Sequence, residues 1–165
     1  RYCHERGLGI RFSLAGLEDP QNADAVNMDV IAEAEREGHL DFLGAVPMDQ
    51  MPDLLRSTDI VCLPSRLMEG FPRALLEAAA CGCALVATDQ PANRQIVQDG
   101  VTGHLIAMED RNGLGAVLAT MEKDRAKTES MGKAAHALTN SLPVGDEDVT
   151  EAFLEIYAQA GCANR

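Results

Sequence analysis

The stretch that decides the fold is Asp59-Ile-Val-Cys-Leu-Pro-Ser-Arg-Leu-Met-Glu-Gly-Phe-Pro-Arg-Ala-Leu-Leu-Glu-Ala-Ala-Ala-Cys-Gly-Cys-Ala-Leu-Val-Ala87. It opens with an apolar run, Asp59 to Leu63, which reads as a buried strand stopped by Pro64. A helix over Pro72 to Cys81 follows, with Pro in its first turn and Gly82 just past its end. Ala84 to Ala87 is again strand-like. A strand, a helix and a strand in this order form a crossover unit with parallel strands.

The same alternation extends both ways. Upstream, Ile10 to Ala15 reads as a strand ending at Gly16. Asn27 to Glu37 reads as a helix with Val30, Ile31 and Ala34 on one face and Gly38 as its stop. Leu40 to Leu43 reads as a strand ending at Gly44, and Met48 to Ser57 as a short helix. Downstream, Pro91 to Val97 reads as a short helix and Asp99-Gly100 as a turn. Thr102 to Ala107 holds the last strand. Helices are predicted over Asn112–Met121, about Glu129–Thr139 and about Glu147–Ala160. The expected fold is α/β: a Rossmann-like parallel sheet with helices on both faces, in one domain over residues 1–165 with its core at about 10–140. In such sheets ligands sit beyond the carboxyl ends of the strands. Here those ends read Gly16, Gly44, Pro64-Ser65 and Thr88-Asp89, all small or polar.

Composition narrows the function. The 165 residues hold 14 basic and 26 acidic side chains, a net charge of -12, and aromatics make up only 4%. Nucleic acid is a poor partner for such a chain, because phosphate backbones need concentrated Lys and Arg. The three lysines, Lys123, Lys127 and Lys133, all come late and close together. Five cysteines (Cys3, Cys62, Cys81, Cys83, Cys162) in no regular spacing do not read as a secreted disulfide framework, and a reduced cytoplasmic setting fits better. The longest apolar run, Ala78 to Ala87, is far short of a membrane span. The chain begins at Arg1 and reads as part of something longer.

The predicted helix after Pro72 is apolar almost all round, so it is expected to be buried. Glu77 is the only acid inside it, and a buried carboxylate needs a partner. Glu69 stands eight residues earlier, ahead of Gly70-Phe71-Pro72. Glu77 lies roughly 7 Å along the axis from the first helical residue. Between the two acids is a helix N-terminus, whose N–H groups and partial positive charge suit a phosphate. Gly70 lets a ligand approach the backbone. A nucleoside diphosphate sugar fits this layout, one carboxylate taking sugar hydroxyls, the other ribose hydroxyls. The plainer reading pairs Glu77 with Arg73, one turn away, and leaves Glu69 solvated; spacing alone favours it.

The words around the two acids shift that balance. Glu69-Gly-Phe-Pro-Arg-Ala-Leu-Leu-Glu77, followed by Ala-Ala-Ala-Cys-Gly82, resembles the donor-binding signature of family 4 retaining glycosyltransferases (glycosyltransferase group 1), which have the GT-B fold. Leu14-Ala-Gly16, Phe42-Leu-Gly44, Asp59 to Ser65, Leu85-Val-Ala-Thr88 and Gln95 to Gly103 resemble further blocks in family order, over about Ile10 to Asp110. The resemblance implies that Glu69 touches the transferred sugar as the catalytic residue. It implies backbone N–H groups of Gly70 and Phe71 near sugar and phosphate, and Glu77 on the ribose hydroxyls. Backbone near Ala45 and Val46 would hold the base. Gly16, Ser65, Pro72 and Arg73 complete the expected donor-binding set. Many relatives carry a basic residue just before the first Glu; here it is Met68, with Arg66 nearby.

By the same resemblance the chain is most of the C-terminal, donor-binding half of a transferase, lacking its first strand. That strand belongs between the first and third strands present. The Arg and Lys that grip the diphosphate, and the acceptor domain, lie upstream. The implied donor is a nucleoside diphosphate sugar, with UDP-sugar favoured. The implied acceptor is a glycan or a lipid-linked acceptor, and the implied location is cytoplasmic, at the inner membrane surface through the upstream half. No cofactor or metal is expected. Asp146-Glu-Asp148 has the Asp-x-Asp spacing of metal-dependent transferases but also opens a predicted helix, where acids complement the dipole. Cys81-Gly-Cys83 has no second Cys/His pair at zinc-site spacing. The alternative class is a nucleotide-binding or regulatory module without chemistry.

Overall fold

The computed structural model describes residues 2–18, 26–67 and 70–139. In chain order the elements are α1 (Tyr2–Glu5), β1 (Ser13–Ala15), α2 (Met28–Arg36), β2 (Asp41–Gly44), α3 (Met51–Arg56), β3 (Ile60–Leu63), α4 (Arg73–Ala80) and β4 (Ala84–Thr88). A 3-10 turn (Asn93–Gln95), β5 (Gly103–Ile106), α5 (Arg111–Lys123) and α6 (Arg125–Thr139) complete them. Every strand pairing is parallel. β1 pairs with β2, and β3-β4-β5 form a second sheet in that order. β1 and β3 are not paired with each other.

β4 explains why helices cover both faces. All five of its residues are buried, and strand side chains alternate in direction. Leu85 and Ala87 enter one core with Leu75, Ala78, Ala79, Ile96, Val97 and Ala135. Ala84 and Val86 enter the other with Cys3, Ile106, Leu118, Met121 and Met131. The first core therefore takes α4, and the second takes α1 and α5. α6 serves both through Ala135 and Met131. A strand buried on both faces reads as a continuous apolar run, as this one does.

Local chemistry fixes the ends. The Asn27 side chain accepts the Asp29 N–H at 2.7 Å and caps α2. Asp110 accepts from the Gly113 N–H at 2.8 Å and caps α5. Gly38 and Gly82 close α2 and α4 with positive φ, 71° and 83°.

Several expectations are corrected. The strand over Ile10–Ala15 is regular only from Ser13; the Phe12 carbonyl still accepts the Asp41 N–H at 2.8 Å, while the Ile10 and Phe12 side chains pack against the second core. Val30 of α2 is 58% exposed, so Ile31 and Ala34 carry that helix's apolar face. The helix over Pro91–Val97 tightens to three residues of 3-10 turn, where the Asn93 side chain bonds the Thr88 carbonyl at 2.8 Å. α4 is not buried all round: Leu75, Ala78 and Ala79 face the core, while Ala74 and Ala80 are exposed. α1 was not foreseen. The predicted helix over 147–160, with Asp146 and Asp148, lies outside the described residues.

Candidate donor-binding site

The strand carboxyl ends gather the expected residues into two groups. At the β1-β2 sheet, the Gly16 N–H donates to the Gly44 carbonyl at 2.9 Å, so the two chain exits run side by side. Ala45, exposed, and Val46, partly buried, continue from Gly44. Gly44 itself has φ 62°, a left-handed turn that a side chain would resist.

The second group follows β3. The Ser65 hydroxyl accepts the Leu67 N–H at 3.1 Å, closing a local turn. Gly70 is exposed and Phe71 is 41% exposed. Pro72 is fully buried. Its contribution is thus to fix where α4 starts rather than to offer its ring to a ligand. Among the described residues, no side chain caps α4, whose N-cap position is Pro72. Its start is partly satisfied by its own backbone: the Arg73 N–H bonds the Phe71 carbonyl at 3.0 Å, and those of Leu75 and Leu76 bond the Pro72 carbonyl. An uncapped start at the carboxyl edge of a parallel sheet keeps its partial positive charge available to an anion.

Glu77 is not the buried carboxylate expected from the apolar helix. Its side chain is 40% exposed, and its Oε1 lies 3.9 Å from Arg73 Nη2. The pairing that spacing alone favoured is therefore present, in a long and open form. Such a contact is worth little and yields readily to a ligand. Glu69 lies outside the described residues. Arg66, two residues along from Pro64, reaches Glu109 Oε1 at 3.2 Å. Glu109 sits after β5 with φ 62°, an uncommon conformation for a non-glycine residue.

Beneath this loop is a set of buried polar side chains that sequence reasoning did not single out. The Thr88 hydroxyl donates to the Ser65 carbonyl at 2.6 Å, and Gln90 Nε2 donates to the same oxygen at 3.0 Å. Asn93 Nδ2 donates to the Thr88 carbonyl at 2.8 Å. All three residues are nearly inaccessible, at 1%, 5% and 2%. The one available signal was a polar run, Thr88-Asp-Gln-Pro-Ala-Asn93, directly after a wholly apolar strand. Asp89 and Arg94 close the outside of this turn with two hydrogen bonds, 2.6 and 2.9 Å. That Arg94 donation holds the Asp89 carboxyl below the usual range. Among the described residues, no three His, Cys, Asp or Glu side chains are grouped to hold a metal ion, and no helix is long and apolar enough to cross a membrane.

Comparison with known proteins gives the arrangement a family. The family model for glycosyl transferases group 1 matches residues 8–138. A phosphatidyl-myo-inositol mannosyltransferase of Mycolicibacterium smegmatis is 36% identical over 99 residues, covering 59% of this chain and 26% of that protein. The Anabaena protein HepE, solved in complex with UDP, superposes with a TM-score of 0.70 at 26% identity, over 78% of this chain and 35% of that one. The C-terminal domain of LpcC, a glycosyl transferase group 1 protein from Francisella tularensis, has the same fold: TM-score 0.66, 16% identity, 85% of this chain and 90% of that domain. The chain thus spans about a quarter of the curated relative's length. The chain belongs to the glycosyl transferases group 1 family.

Proposed function

We propose that this chain is the donor-binding half of a retaining glycosyltransferase that moves a sugar from a nucleoside diphosphate sugar to a glycan or lipid-linked acceptor. The observation that carries the reading is the start of α4 at the carboxyl edge of the β3-β4-β5 sheet, which no described side chain caps, with the half-exposed Glu77 one turn in. UDP in the HepE complex supports a UDP-sugar as donor. The diphosphate sits at the Gly70-Phe71-Pro72 turn, where backbone dipoles meet its charge. Glu77 releases Arg73 and accepts the ribose hydroxyls. Arg73 is then free to face the phosphates. Glu69 contacts the transferred sugar. Gly16, Ala45 and Val46 line the base side, and Ser65 shapes the loop between. Leaving-group charge is met by preorganised donors, helped by basic residues of an upstream domain that also binds the acceptor and approaches the membrane surface. The chain, residues 1–165, acts as one nucleotide-sugar-binding unit.

Titration calorimetry with UDP and GDP is the test. Losing a hydrogen bond to a charged group costs about 1.5–3 kcal/mol, so Glu77→Ala should weaken binding by roughly 10- to 100-fold. A wild-type chain that binds neither nucleotide, or a Glu77→Ala variant that binds as tightly as wild type, overturns the assignment.

A further inference from the structure

The Ser65 carbonyl is held by side chains where a strand would be held by backbone. β3 and β4 pair through Leu63↔Ala87. Beyond that point Pro64 turns the chain away, and the Asp89 N–H goes to Ile106 on the opposite side, at 2.7 Å. The Asp89 N–H thus faces away from Ser65, and the Thr88 hydroxyl, which also lies 3.3 Å from the Leu63 carbonyl, reaches across to it instead. Thr88 and Gln90 supply two donors to that one oxygen, and Asn93 in turn fixes the Thr88 carbonyl. Burying three polar side chains at one strand exit is costly unless each is bonded; here Thr88 and Gln90 bond the loop that leaves for Glu69 and α4, and Asn93 bonds the Thr88 carbonyl behind them.

We propose that Thr88 and Gln90, braced by Asn93, are positioning residues of the sugar-transfer step. They set the direction in which the loop departs from Ser65 and so the placement of Glu69, four residues on. The inference rests on the donor-half reading above. Four residues can span about 14 Å, so a loop freed at Ser65 has ample room to drift. A misplacement of about 1 Å at reacting groups can lower turnover by roughly 100-fold. The nucleotide, by contrast, is gripped at α4, whose start is fixed independently by the buried Pro72. The signature is thus a split: turnover falls while nucleotide affinity stays.

The experiment uses the full-length protein that carries this chain, with Thr88→Val, Thr88→Ser, Gln90→Met and Glu77→Ala. The readouts are UDP and GDP affinity, release of UDP or GDP from UDP-glucose and GDP-mannose with water as acceptor, and amide exchange across residues 65–71. Thr88→Val should lower turnover about tenfold or more, leave nucleotide affinity within about twofold, and lose exchange protection only in the loop. Thr88→Ser, which keeps the donor, should restore all three. Gln90→Met, which removes the other donor, should fall between, and it decides the matter if Thr88→Val does not fold. Unchanged turnover and unchanged loop protection in both variants overturn the positioning role, as does an equal loss of turnover and affinity. If turnover is silent in wild type, the exchange arm decides alone. A Glu77→Ala variant that loses nucleotide while Thr88→Val behaves as wild type leaves the donor-half reading intact and removes only this inference. A wild-type protein that binds no nucleotide removes both.

Discussion

At the cysteines, burial converts directly into a pH dependence. Cys62 lies on β3 and packs against the second core, and its thiol is pushed up to about 12, chiefly by burial. Cys83 is fully buried, donates to the Leu55 carbonyl at 3.2 Å, and is pushed up to about 11, again chiefly by burial. Both start from an ordinary value of 9.0. A folded-state pKa above the unfolded one gives stability that is whole below about pH 9 and is lost as pH rises toward the folded values. The melting temperature should therefore hold through neutral pH and fall above about pH 9, and Cys83→Ala should blunt that fall. Identical alkaline melts for wild type and the variant would place the sensitivity elsewhere. Thiols kept protonated in apolar surroundings, as at Cys62 and Cys83, are poor nucleophiles. Residue-level legibility was uneven. Glu77 and the Gly70-Phe71-Pro72 turn could be read because a helix start leaves local marks. Its exposure could not, since that depends on which face of α4 the sheet covers. Thr88, Gln90 and Asn93 could not be read as a unit either, because their bonds to Ser65 exist only once the β3-β4 register is set.

At the scale of elements, α6 is the piece that ties both cores together, and its docking depends on one missing side chain. Gly132 is buried and lies against the turn between α4 and β4; a Cβ there would overlap the Gly82 carbonyl. The obstacle is backbone, which cannot rotate aside as a flexible side chain would. Nearby, His136 Nδ1 lies 2.8 Å from the Ala80 carbonyl, and the Thr128 hydroxyl donates to the Met121 carbonyl at 2.8 Å. Overpacking of this kind costs about 1–3 kcal/mol. Gly132→Ala should lower the free energy of urea unfolding by that amount without changing the slope against denaturant. A neutral outcome would mean that α6 can slide along the turn. Elements buried on both sides, such as β4, were read within a residue, because nothing competes with their apolar runs. Elements at the margin were read long. Ile10 and Phe12 pack against the second core, and the Phe12 carbonyl still accepts the Asp41 N–H, so the pattern runs past the point where regular pairing begins.

Across the whole molecule, the parallel order and the row of small or polar strand exits were legible, since alternation of strand and helix leaves few topologies. The division into two sheets was legible only through the family resemblance. The net charge of -12 sets a further property of the whole. Its 26 acids are spread along the chain, and among the described residues the cations around the proposed site include Arg66, paired with Glu109, and Arg73, beside Glu77. The field that a diphosphate meets on approach is therefore repulsive at long range and favourable only at contact. Salt screens the first more than the second, because the Debye length is about 10 Å at 0.1 M while helix-end contacts are closer than that. Most proteins that bind phosphates lose affinity as salt rises. For this chain, whichever of UDP or GDP it binds, affinity should stay level or tighten by up to about twofold between about 20 and about 150 mM NaCl. Calorimetry across that range is the measurement. A weakening of more than about fivefold would mean that local positive charge at the loop and helix start outweighs the acidic surface even at a distance. Glu77 and Glu109 would then have to be turned away from Arg73 and Arg66 before the ligand arrives.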